Sequence, residues 1–134
     1  MQVEMRSAAP AKGMLWTGRI LSVLAVLFML FDGVGHLLKP APVVEAFAQL
    51  EFPLRLSICL GIIQLICVVL YIVPRTAVLG VVLLTGYLGG AVAIHMRVGN
   101  PVFECIFPII IGILFWAGLL LRDMQLRELF PVRR

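Results

Sequence analysis

Charge is what this sequence has least of. Only 13% of its 134 residues are Asp, Glu, Lys or Arg, while 62% are hydrophobic. A soluble domain carries about 25% charged and about 45–50% apolar residues. A chain of this length forms one domain, and a small domain has too much surface to hide such an excess from water. The composition therefore excludes a water-soluble globule and makes the bilayer the expected solvent. Cysteine is also scarce, with only Cys59, Cys67 and Cys105 present. No two of them stand as C-x-x-C, which removes the common zinc and dithiol motifs. Cys59 and Cys67 fall eight apart on one predicted helix, about 12 Å along its axis and too far to bridge. All three read as small apolar packing residues. A phosphate-binding loop and a Ser-His-Asp arrangement are missing too, so nothing points to a nucleotide enzyme or a hydrolase. The net charge is +4. No Lys/Arg-rich run with interleaved aromatics accompanies it, which argues against nucleic acid as a partner. In a membrane chain, basic residues report topology and contact with anionic lipid.

What is present is four apolar runs, at about 14–38, 54–73, 76–95 and 102–121. A helix needs about 20 mainly apolar residues to cross about 30 Å of hydrocarbon. Open strands are excluded, because every backbone N–H and C=O in hydrocarbon must pair within a helix or a closed barrel. Run length and the lack of period-2 alternation select helices. The expected fold class is all-α: an integral membrane four-helix antiparallel bundle. Pro74-Arg75 leaves room only for a tight hairpin between the second and third spans. Gly99-Asn100-Pro101 marks a turn between the third and fourth. Between the first two spans, Pro42 opens a segment in which Val43, Val44, Phe47 and Leu50 recur at helical spacing. This predicts a short amphipathic interfacial helix.

Residues 1–13 read as a cytoplasmic tail, 14–123 as the membrane domain, and 124–134 as a basic cytoplasmic tail. The small-residue triplet Ala46-Phe47-Ala48 lies well beyond the first apolar run and past two prolines, so the first span is expected to remain uncleaved. With four spans, both termini share a side. That side carries Arg6, Lys12, Arg19, Arg75, Arg122, Arg127, Arg133 and Arg134; the other carries Lys39, Arg55 and Arg97. The excess of basic residues predicts cytoplasmic termini in a bacterial inner membrane. Small residues suggest where helices meet: Gly18, Ser22 and Ala25; Gly86, Gly90 and Ala93; Gly112 and Gly118. These are expected to pack within the bundle, with a self-association seam as the alternative.

Topology gathers Asp32, His36, Arg55, His95, Arg97 and Glu104 at the outer ends of the spans. Asp32 and His36 stand one helical turn apart on one face, suited to a hydrogen bond. Asp32 lies six residues, about 9 Å, inside the apolar end at Leu38. A carboxylate at that depth must face the bundle interior with a partner, for which His36, Arg55 and Arg97 are candidates. The cluster is either a network tying the first loop to the bundle or a ligand, proton-transfer or redox-partner site. His36 and His95 end parallel helices at similar depth, as two haem or metal ligands do. Such helix ends carry His for local reasons as well, so haem and metal are not expected; a metal would take Asp32 or Glu104 as a third ligand. Gln64, mid-span, needs a partner across the bundle and reads as structural glue ahead of a quinone or substrate contact.

The stretches "GRILSVLAVLFMLFDGVGHLLKP", "IVPRTAVLG", "LLTGYLGGAVAIHMRVGNP" and "FPIIIGILFWAGLLLRD" together resemble the DoxX-like family of small bacterial four-helix membrane proteins. The resemblance covers about residues 15–123. The Phe31-Asp32-Gly33…Lys39-Pro40 end of the first span and Thr85-Gly86-Tyr87-Leu88-Gly89-Gly90…His95-x-Arg97 of the third are its most specific parts. It implies association with quinol oxidase and thiosulfate:quinone oxidoreductase chemistry, and with redox and thiol-stress complexes. It assigns a catalytic role to no residue. The expected function is an accessory subunit in redox or quinone-linked membrane chemistry, with the bilayer and a redox partner or a second copy as partners. The alternatives are a small membrane oxidoreductase or quinone-binding protein using Asp32, His36 and His95, and an oligomeric transporter or scaffold.

Overall fold

The computed structural model of the protein describes residues 12–129. Residues 1–11 and 130–134, which belong to the expected tails, lie outside them. Four long helices dominate: α1 (Lys12–Leu38), α3 (Ser57–Ile72), α4 (Ala77–Arg97) and α5 (Val102–Arg122). Two short ones accompany them, α2 (Ala41–Gln49) and α6 (Met124–Leu129). A 3₁₀ turn at Leu54–Leu56 lengthens α3 to a 19-residue span. All four spans are long and apolar enough to cross a membrane, as the hydropathy requires. The chain is thus an integral membrane four-helix bundle. α1 packs on α3 and α5, and α4 packs on the same two, so the helices form a square in the order α1–α3–α4–α5.

The two ends of the square are closed by different chemistry. At the terminal end, where Lys12 and Arg122 lie, Pro74 stops α3. Its ring and missing N–H cannot continue a helix. The Thr76 hydroxyl then donates to the orphaned Leu70 carbonyl at 2.7 Å. At the loop end, α4 finishes with Gly99 in the left-handed region at φ 72. The Gly99 N–H donates to Met96 O at 3.1 Å and the Asn100 N–H to His95 O at 3.1 Å. This is the 5→2, 6→1 pattern of a Schellman cap, and only glycine adopts its φ without penalty. α2 ends in the same pattern, with Glu51 N–H on Ala48 O and Phe52 N–H on Phe47 O. There Glu51 takes the left-handed position at φ 52, which costs a side-chain-bearing residue about 1–2 kcal/mol. α2 anchors itself through the buried Phe47, which meets the rings of His36 and Phe52 edge-on. At the other end, residues 124–129 of the expected tail form α6, capped by Asp123 Oδ1 accepting from Leu126 N–H at 3.0 Å.

Each long helix buries one narrow stripe: Gly18, Ser22, Ala25, Met29 and Gly33 on α1, for example. The outward faces are just as apolar, with Phe31 83% exposed. In lipid, hydrophobicity cannot choose the inward face; close packing and hydrogen bonds do. The choice is visible at the glycines. A Cβ on Gly18 would lie 2.8 Å from Gly118 O, and one on Gly118 would lie 3.0 Å from Ser22 N. The α1 and α5 backbones therefore meet there. Gly61 approaches Gly33 O across α1 and α3, and Gly80 meets the Tyr71 backbone across α3 and α4.

The Gly86-x-x-x-Gly90 pair departs from expectation. A Cβ on Gly86, Gly89 or Gly90 would meet nothing within 4 Å. The inward face of α4 consists of Ala77, Gly80, Val81, Leu84 and Leu88. Gly86 and Gly90 follow Leu84 and Leu88 by two residues, about 200° around the helix, and so face outward. Two substitutions separate the classes of glycine. Gly80→Leu is expected to cost about 1–3 kcal/mol, the range for overpacking, because the Tyr71 backbone must yield. Gly86→Leu is expected to leave stability nearly unchanged. Thermal unfolding of both in detergent micelles checks this.

Candidate functional site

The expected outer cluster resolves into separate groups. The first begins at Asp32 on α1. Its Oδ2 accepts a hydrogen bond from Gln64 Nε2 at 3.0 Å and lies 3.5 Å from His36 Nδ1. Gln64, on α3, is fully buried. Its amide nitrogen also donates to Met29 O at 2.9 Å, and its Oε1 accepts from the Tyr87 hydroxyl of α4 at 2.8 Å. A single amide thus joins three helices, with donors and acceptor all engaged. The requirement that Gln64 find partners across the bundle is met by Asp32, Met29 and Tyr87. Arg55 and Arg97, offered by sequence as partners for Asp32, are not used by it; Gln64 is.

His36 sets the chemistry of the exposed side of this group. Its Nδ1 lies 2.8 Å from the Asp32 backbone oxygen. A carbonyl can only accept, so Nδ1 carries the proton, and in the neutral ring Nε2 is the lone-pair acceptor. The Ser57 hydroxyl donates to His36 O at 2.6 Å, pinning this turn of α1 to the start of α3. Gln64 is sealed, but the Asp32 side chain remains 43% exposed. The pair therefore presents a part-open carboxylate, with one oxygen engaged and one further oxygen, beside a largely buried imidazole, on helices that are themselves fixed.

The second group lies where α4 turns into α5. Asn100 Nδ2 donates to His95 Nδ1 at 2.8 Å, and Glu104 Oε2 is 3.9 Å from the same nitrogen. Among the described residues, no hydrogen bond or ion pair joins this group to Asp32 and His36. No three His, Cys, Asp or Glu side chains gather as a metal site among them either. Arg97 turns away from both groups: its Nη2 donates to Leu50 O at 2.8 Å and Glu51 O at 3.3 Å. It thereby holds the carbonyls of the left-handed α2 cap. Arg55 is exposed.

A third network, at the terminal end, escaped the sequence reading. The buried Tyr71 hydroxyl donates to Phe115 O at 2.8 Å and lies 2.9 Å from Ser22 Oγ. Arg122 Nη2 donates to the same hydroxyl at 3.3 Å, and the guanidinium sits over the ring at 5.6 Å from its centroid. The signal lay in Ser22 and Arg122, two polar residues whose helix registers face α3. Arg122 passes in sequence for an ordinary flanking charge.

These geometries give a prediction for Gln64. Gln64→Leu leaves Asp32 and Tyr87 without their partner and is expected to destabilise the bundle by about 1–3 kcal/mol. Tyr87→Phe removes one hydrogen bond and should cost about 0.6 kcal/mol, the average for membrane interhelical bonds. Unfolding of both variants in mixed micelles, compared with wild type, checks the order.

Three helices converge on one sealed amide, an Asp-x-x-x-His pair opens beside it, and four spans carry the whole. Comparison with known proteins agrees with this architecture. No curated protein and no solved structure matches the chain. A family model described as DoxX-like family matches residues 20–118, well over half the chain. The chain belongs to the DoxX-like family.

Proposed function

We propose that the protein is an accessory subunit in redox or quinone-linked membrane chemistry, and that Asp32 and His36 receive the polar head of a quinone-class ligand. The observation that carries this reading is the part-exposed Asp32 carboxylate, held by Gln64 within the apolar α1 helix. An intramembrane carboxylate is costly unless it is paired or used. Here one oxygen is paired inside the bundle while the side chain stays open.

The chemistry suits a ligand that exists in hydroxyl and carbonyl forms. The Asp32 carboxylate and neutral His36 Nε2 both accept, and so match the hydroxyls of a quinol. A protonated His36 donates instead, and so matches a quinone carbonyl. Asp32, His36 and Gln64 do not themselves take up electrons, which is why the reading is of an accessory subunit with the electron carrier on a redox partner. For orientation, the basic residues at 6, 12, 19, 75, 122, 127, 133 and 134 support termini on the cytoplasmic side of a bacterial inner membrane. The Asp32 end would then face the periplasm.

The expected result is that wild-type protein purified in mild detergent carries quinone and Asp32→Asn carries at least tenfold less. The amide oxygen introduced by Asp32→Asn can still accept from Gln64, so the bundle should unfold within a few degrees of wild type. His36→Ala should lose quinone similarly. Equal quinone in wild type and both variants, by extraction and mass spectrometry, would sink the proposal and leave the group as a helix tie.

A further inference from the structure

The face between α4 and α5 holds a groove of about 480 Å³. It is bounded by Gly89 and Thr85 on α4 and by Gly112, Trp116 and Leu120 on α5. Its volume falls within the about 300–1,000 Å³ of ligand pockets. From Pro108 to Leu120 on α5 it runs about 18 Å, slightly more than half of the about 30 Å hydrocarbon core. This is the reach of one leaflet. The walls are almost wholly apolar, and the Trp116 indole N–H is already given to Thr85 Oγ1 at 2.7 Å. Packing does not demand the glycines at its sides. A Cβ on Gly89 would meet nothing within 4 Å, and one on Gly112 only Leu88 Cδ1 at an ordinary 3.6 Å.

A cation stands beside one end of the groove, although no charged residue lines it. Leu120 closes it toward the terminal end, and Arg127 of α6 places its Nε and Nη2 on Leu120 O, at 3.2 and 2.9 Å. A guanidinium has five N–H donors, so this contact leaves others for an anion. Among the described residues no carboxylate forms an ion pair with Arg127. A second basic residue, Arg75, is exposed in the hairpin at the same end of the bundle. An apolar slot one leaflet long with a fixed cation at its headgroup end is complementary to one kind of molecule.

We propose that the α4/α5 groove binds an anionic glycerophospholipid, with an acyl chain along Gly89 and Gly112 and its phosphate on Arg127. The occupant comes from the bilayer and is selected by charge at one end and by shape along the other. The site is independent of Asp32 and His36 and does not rest on any role for them.

The test uses full-length protein exchanged into nanodiscs of mixed phosphatidylglycerol and phosphatidylcholine, then released for native mass spectrometry. Wild type is expected to retain about one phosphatidylglycerol per chain, in preference to phosphatidylcholine. Arg127→Gln should reduce that retention about fivefold, the factor corresponding to about 1 kcal/mol per basic residue at a membrane surface. Gly89→Leu places a side chain in open space, so it should fold normally, fill the groove and lower retention of both lipids. Equal retention of phosphatidylglycerol in wild type and both variants would overturn the site. So would loss of a dimer, read by light scattering, in place of lipid in Gly89→Leu, since a second copy of the chain would then be the occupant.

Discussion

A primary amide in hydrocarbon has no water to fall back on, and the Gln64 side chain is the point from which much of this bundle is set. It must donate twice and accept at least once where nothing but other helices can answer. Met29, Asp32 and Tyr87 supply those partners, from α1 and α4 on either side of α3. Sliding any of the three helices by one residue, about 1.5 Å, would break at least one of these bonds. Register and rotation are thus specified by polarity in a protein whose inner and outer surfaces are almost equally greasy. Glycine does the rest. At Gly33, Gly61, Gly80 and Gly118 neighbouring atoms come so close that no side chain fits without movement.

The same logic accounts for the difference between the two ends. At the terminal end the polar network is sealed: Tyr71, Ser22 and the Phe115 carbonyl bind each other, with Arg122 laid over the ring. At the loop end the network reaches the surface through Asp32 and His36. Arg97, a candidate by sequence to neutralise that carboxylate, is committed to the carbonyls of Leu50 and Glu51. A left-handed non-glycine residue is strained, and a cation on its neighbouring carbonyls offsets part of that strain. Among the described residues neither lysine nor arginine forms an ion pair with Asp32, which is left to Gln64 and His36.

Much of this was legible in the residues. Uninterrupted hydropathy marked the four spans to within a few positions, because a bilayer imposes length directly. Pro74 and Gly99-Asn100-Pro101 marked the turns, because local backbone chemistry allows few alternatives there. The nearness of Asp32 and His36 followed from their spacing of four, which depends on no other helix, but the imidazole bonds to the Asp32 backbone oxygen and not, as expected, to its carboxylate. What depended on other helices was harder. Gly86 and Gly90 have the spacing of a packing motif, but spacing does not say which way the face turns when both faces are apolar. Tyr71 sits near a helix end, where tyrosine usually marks the interface. Its burial follows from the approach of α1 to α5, which no local pattern encodes. His95 and Glu104 stand at the same end as Asp32, yet end and contact are different things.

The square arrangement has a consequence for the order in which the bundle can be built. α3 and α4 are joined by a hairpin of a few residues and can meet as soon as both exist. α1 can dock on α3 early as well. Its other neighbour, α5, begins only at Val102. Until the ribosome has delivered that helix, Gly18 and Ser22 face lipid, and the Tyr71 hydroxyl lacks the Phe115 carbonyl that receives its proton. The two sides of the square that close last are thus those made by α5, and one of them is the side where Gly18 and Gly118 bring two backbones together. Gly118 is synthesised long after its partner Gly18, so a chain made only as far as α4 has three helices and two closed sides, with α1 held by one edge alone.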